Sequence, residues 1–163
     1  MESEYKTPMD ISPEKRAILI KEIDLIQDII KRLASNSFII KGWTITIVIA
    51  TLLLKGEKIQ ILLAVLPTIV FWFLDTYFLR QERIYRLLFD WIVKFRSTSN
   101  EFIFNLTPHG RLKKLAHELQ KPVQSFGFIR VMFSMTIWPL YISILALIIT
   151  YYFLYESLKA GGV

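Results

Sequence analysis

Two side chains stand out as candidates for chemistry because of where they lie. Lys41 is the only charge in Phe38–Leu54, a run of 17 residues, and Asp75 is the only charge in Ile59–Leu79, a run of 21. An ionisable group inside an apolar run is costly, so it points to charge pairing, ion passage or proton transfer. Lys41 and Asp75 could form an ion pair that fixes the register of two helices. That pair is the preferred reading; the sharper alternative is a charged ring at a pore mouth in an oligomer. Five further cations, Arg80, Arg83, Arg111, Lys113 and Lys114, are the set that could converge on a phosphate. The same residues could meet anionic lipid headgroups, each such contact contributing about 1 kcal/mol.

Catalytic and metal chemistry find little support. His109 and His117 are eight residues apart and share a helix face only if that helix begins at Pro108. No HExxH, GxSxG, P-loop or paired-carboxylate motif is present, so no catalytic residue and no cofactor is expected. Cysteine is absent, which excludes a disulfide scaffold, a thiolate nucleophile and a cysteine zinc site. Two histidines alone lack the partners for metal ligation. No nucleic-acid recognition motif appears, and sequence-specific nucleic-acid binding is not expected.

The elements that must position these residues are set by segregation of charge. The chain has 163 residues, of which 53% are hydrophobic and 21% charged. Beside the two runs above, Val131–Tyr155 is 25 residues with no charge. A membrane-crossing helix needs about 20 apolar residues. The first run is short, at roughly 25 Å, but Lys41 near its start can extend its ammonium to the headgroups. Trp43 is placed as an interface anchor, and Tyr151, Tyr152 and Tyr155 sit as an aromatic belt at the end of the third run. Only Lys55-Gly56-Glu57-Lys58 separates the first two runs, which forces an antiparallel hairpin. Pro139 is expected to kink the third helix. A polar, acidic start of more than 30 residues argues against a secretory signal peptide. The fold class is therefore an all-α membrane protein: a tight hairpin at 38–79, a third span at 131–156 and a short tail at 157–163.

The remaining segments, 1–37 and 80–130, read as amphipathic cytosolic helices. After a flexible tail, Met1–Ile11, Ser12 is an N-cap, Pro13 the first helical residue, and Glu14 favours the positive end of the dipole. Leu19, Ile23, Ile26, Ile30 and Leu33 form a seam at alternating spacings of four and three. Lys21, Glu22, Asp24, Asp28, Lys31 and Arg32 take the opposite face. The seam suits either the chain's own middle segment or an intersubunit coiled coil. Ser35, Asn36 and Ser37 mark a bend or polar interfacial positions. Ile84, Leu87, Leu88, Trp91, Ile92 and Phe95 make a second stripe, continuous with the second span. Ser97–Asn100 ends it, and Phe102–Phe104 has no clear structure. Thr107-Pro108 starts another helix with a Leu112, Leu115 and Leu119 stripe, ended by Lys121-Pro122. Residues 1–41 carry seven Lys/Arg and 80–130 carry ten, against two in 55–58 and one in 156–163. The excess of cations places the N-terminus and 80–130 in the cytosol.

Two blocks, Ile26-Gln27 through Arg32–Phe38 to Lys41-Gly42-Trp43, and Phe71–Asp75 through Tyr77–Arg83, carry a resemblance over residues 15–96. Helix, tight membrane hairpin and cytosolic helix together resemble the SLATT-type two-transmembrane effectors of bacterial anti-phage islands, encoded beside nucleotide-signalling genes. This chain adds a third span to that pattern. The resemblance implies an inner-membrane homo-oligomer that disrupts the membrane once a cytosolic protein or nucleotide signal releases it. It supplies no ligand residues. A non-pore anchor or inhibitory subunit docking a cytosolic partner, a holin, and a toxin–antitoxin membrane toxin are the competing readings.

Overall fold

A computed structural model describes residues 12–53, 59–96 and 103–160. Among these every regular element is helical. Helix α1 spans Pro13–Leu53 and α2 spans Ile59–Phe95. A 3₁₀ turn at His109–Arg111 leads into α3, Leu112–Glu118. A second 3₁₀ turn, Val123–Phe126, precedes α4, Phe128–Met132, and α5, Trp138–Ala160. Stretches within α1, α2 and α5 are long and apolar enough to cross a membrane. The expected N-terminal tail, the 55–58 loop, the Ser97–Asn100 terminus and Phe102 lie outside the described residues.

The chain divides into two compact units. The first joins 1–34 to 80–127, and the second joins 35–79 to 128–163. Sequence order separates 1–37 from 80–130, whereas packing places most of both in one core.

In the first unit α1 begins at Pro13, and Ser12 Oγ accepts from the Lys15 amide at 3.4 Å. Ile26 is fully buried with Ile84, Leu87, Leu88, Trp91 and Ile92 of α2 and Leu115 of α3. Leu19, Ile23 and Ile30 pack against this core. The α1 seam is thus spent on the chain's own α2. The helix expected from Thr107-Pro108 is shorter, because a 3₁₀ turn replaces its first residues. It stops where Gln120 adopts φ 54° and the Lys121 amide bonds the Ala116 carbonyl at 2.8 Å. A left-handed residue turning the chain back to cap free carbonyls is a common helix end.

In the second unit Ser35–Ser37 are helical residues within α1. Val48 and Leu52 of α1 share a core with Ala64 of α2 and with Ile144 and Ile148 of α5. A second core gathers Trp72 and Leu79 with Val131, Ile137 and Tyr141. The third helix departs from expectation. It begins at Trp138 rather than Val131, after a turn in which the Ile137 and Trp138 amides bond the Ser134 carbonyl at 2.9 and 3.2 Å. A proline ring in a helix interior clashes with the carbonyl four residues earlier. Pro139 is instead the second residue of α5, in its first turn, where a proline is tolerated because the amide it lacks would be unpaired. It starts the helix instead of kinking it.

Candidate functional site

The densest polar cluster of the second unit surrounds Asp75. Its side chain is 0% exposed and the partnering Lys41 side chain 22% exposed. Lys41 Nζ lies 2.8 Å from Asp75 Oδ1 and 2.7 Å from Oδ2. Ser37, one turn before Lys41, donates its hydroxyl to Asp75 Oδ1 and accepts from Lys41 Nζ at 2.7 Å. Tyr141 of α5 brings its hydroxyl 3.3 Å from Asp75 Oδ2 and 3.2 Å from the Phe71 carbonyl. Trp72 stacks on Tyr141 with ring centroids 5.6 Å apart and 6° between planes. Its Nε1 donates to the Met132 carbonyl at 3.3 Å.

Helix geometry explains the convergence. Residues four apart share a face, so Ser37 and Lys41 point together from α1. Residues 48 and 52 of α1 share a core with 64 of α2, while 37 and 41 meet 75. Rising numbers in α1 therefore meet falling numbers in α2. Each helix amide is already bonded within its helix, so side chains must supply the donors a buried carboxylate needs. Lys41, Ser37 and Tyr141 supply them, and each of the three Lys41 donors has an oxygen within reach.

This arrangement is suited to charge compensation rather than to nucleophilic catalysis. A Ser–Lys pair that acts on a substrate needs the lysine as proton acceptor. Here Lys41 donates to Ser37 and to both carboxylate oxygens. Among the described residues no group of three or more His, Asp or Glu is gathered to hold a metal. Trp43, the expected interface anchor, is 57% exposed on α1.

The five cations of the expected anion set are engaged differently. Arg80 Nε bonds the Phe126 carbonyl at 2.8 Å, and Arg111 Nη1 lies 3.3 Å from the Asn105 carbonyl. Lys114 lies 3.9 Å from Glu118, Lys113 is exposed, and Arg83 lines a cleft of the first unit.

The sequence assigns Glu22 to a solvated face, and this is corrected. Glu22 is fully buried and takes a two-pronged bond from Arg96, Nε to Oε2 at 2.7 Å and Nη2 to Oε1 at 2.9 Å. The Phe104 amide adds a third bond to Oε1 at 2.7 Å. Arg96 also lies over the Trp91 ring, 5.4 Å from its centroid. The signal available in the sequence was slight. Glu22 stands three residues after Leu19 and four before Ile26, at the edge of the apolar stripe. Ser37 is read from the sequence only as a bend or polar interfacial position, and the signal that could have joined it to the site is its place one turn before Lys41; nothing in the spacing points to Tyr141.

Comparison of the chain with family models, curated proteins and solved structures finds no match.

Proposed function

We propose that the chain is a three-span protein of the bacterial inner membrane, with residues 1–37 and 80–130 in the cytosol. In this reading it assembles with itself and permeabilises the membrane when a cytosolic signal reaches it, as an effector of anti-phage defence. The observation that carries the membrane part is the outward face of the apolar helices. Phe38 on α1, Leu66 on α2 and Phe153 on α5 are 78%, 62% and 67% exposed, each among other exposed large apolar residues. A helix that is apolar outside as well as inside suits lipid. Seven hydroxyls, of Thr44, Thr46, Thr51, Thr68, Thr76, Ser143 and Thr150, bond the carbonyl four residues earlier. They need no water, as a hydrocarbon surrounding requires. The effector part is supported by the SLATT-like order of elements over residues 15–96.

The test is expression in bacteria with a potential-sensitive dye. Depolarisation is expected on triggering; a membrane that stays polarised with the natural trigger present defeats the pore reading. Asp75→Asn sorts the two roles of the Lys41–Asp75 pair. Loss of assembly marks a register pair, whereas intact assembly with altered ion selectivity marks a pore-mouth ring.

One observation favours a second reading, a non-pore anchor or inhibitory subunit. Leu19, Ile23, Ile26 and Ile30 pack within their own chain, so the seam is covered in part from within. Mass measurement in detergent separates the readings: a symmetric oligomer fits the effector and a monomer the anchor.

A further inference from the structure

Gln27, Ile30 and Lys31 of α1, Arg83, Arg86 and Phe89 of α2, and Lys121 and Phe126 beyond α3 line a cleft of about 600 Å³. Its size falls within the range of small-molecule sites, roughly 300–1,000 Å³. The charges on its wall are unequally answered. Asp90 is met by Lys121 at 2.6 Å. Arg86 is held by Glu82 of its own helix, through Nε at 2.8 Å and Nη2 at 2.7 Å. Among the described residues Lys31 has only Asp28, 3.7 Å away, and both side chains are largely exposed, an arrangement that contributes little. Arg83 is half-buried and has no ion pair or hydrogen-bond partner among the described residues. A half-buried guanidinium at a cleft wall, left without an acceptor, is a ready receptor for a planar pair of oxyanion oxygens. Across the same cleft Ile30, Leu87, Phe89 and Phe126 offer apolar wall, and Arg80 holds Phe126 in place through its carbonyl.

We propose that this cleft binds an organic phosphate. Its phosphate lies on Arg83 and Lys31, and its apolar or aromatic body lies against Phe89 and Phe126. The two surplus cations match a phosphomonoester dianion, and the apolar wall distinguishes an ester from inorganic phosphate. Such a ligand has two sources, a soluble nucleotide-like phosphate or a lipid headgroup. The inference is independent of the membrane reading, because binding is read apart from permeabilisation.

The test is calorimetry on the full chain in a nonionic, phosphate-free detergent. The probes are inorganic phosphate, a nucleoside 5′-monophosphate and a short-chain phosphatidate. One of the two esters is expected to bind saturably, one per chain, and at least about tenfold tighter than inorganic phosphate. Preference for the nucleoside monophosphate assigns a soluble source, and preference for the phosphatidate assigns a lipid source. Arg83→Gln is expected to weaken that binding by about tenfold or more, with Lys21→Gln, at an exposed position outside the cleft, leaving it unchanged. Ser125→Trp, which narrows the cleft without touching Arg83, guards against a folding defect; it should exclude the ester while helicity is retained. Absence of ester binding at millimolar concentration overturns the proposal. So does equal weakening by Arg83→Gln and Lys21→Gln, or ester binding indifferent to both Arg83→Gln and Ser125→Trp.

Discussion

Glu22 and Asp75 are both fully buried carboxylates on or facing long helices, and their surroundings answer them differently. Glu22 lies in the first unit and is met by the fork of Arg96 and by a backbone amide, that of Phe104. Asp75 lies in the second unit and is met by an ammonium and two hydroxyls. The difference follows from what each surrounding can offer. The first unit contains non-helical chain at 103–108, whose amides are free to turn inward. Around Asp75 the neighbours are helices, whose amides are occupied, so every donor must come from a side chain. The backbone bond also ties residue 104 to α1, with Phe104 held at φ 56°, whereas the Asp75 cluster ties helix to helix. A buried carboxylate in this protein is therefore a fastening point in both units, of a loop in one and of helix register in the other.

Breaking the two fastenings separately tests this contrast. The largest effect is expected for Arg96→Met, which strands Glu22 with one amide. Losing one partner of a buried pair costs about 3–5 kcal/mol, to be read as a lowered melting temperature by tryptophan fluorescence. Arg96→Lys should recover only part of this, because an ammonium cannot match the two-pronged geometry. If Arg96→Lys is as stable as the native chain, the fork is immaterial and the contrast fails.

Lys41→Met is expected to cost somewhat less, about 2–4 kcal/mol, since Ser37 and Tyr141 still donate to Asp75. The double change Lys41→Met with Asp75→Leu should return stability to near native, because replacing both members of a buried pair with apolar groups is often neutral. Failure of the double change to recover would show that the cluster does more than compensate its own charge. Asp75→Asn should cost about 1–2 kcal/mol, as the amide keeps part of the bonding and Lys41 is part-exposed. Tyr141→Phe is the smallest, about 1 kcal/mol for one hydrogen bond with the Trp72 stack intact. A Tyr141→Phe loss as large as that of Lys41→Met would place the hydroxyl, not the ammonium, at the centre of the cluster.

Much of this was legible in advance, and the reasons are particular. Ser12-Pro13 begins α1 because a proline is welcome where its missing amide would be unpaired. The Ile84, Leu87, Leu88, Trp91, Ile92 stripe is buried throughout, since its period of three and four leaves one apolar face to cover. Lys41 and Asp75 could be matched because the four-residue loop requires two antiparallel helices, which fixes which numbers face each other. Glu22 was misplaced because periodicity identifies an apolar stripe but not how far the opposing surface wraps around it. Pro139 was misread because its effect depends on where the helix starts, which the uncharged run does not mark.

The sequence by itself determined three long apolar helices, the two amphipathic stripes and the similar depth of Lys41 and Asp75 on neighbouring helices. All of these follow from local periodicity, from chain connectivity and from the high cost of an unpaired charge in an apolar run. Tertiary structure alone decided that residues 13–34 share a core with 80–127, that Arg96 and the Phe104 amide reach Glu22, and that Tyr141 completes the Asp75 shell. It also decided that Arg83 opens on a cleft while its neighbours in the sequence are otherwise engaged. These are meetings between residues far apart in the chain, or choices among many cations on one face. Local spacing carries no information about them, because only the packing of whole helices brings such groups within bonding distance.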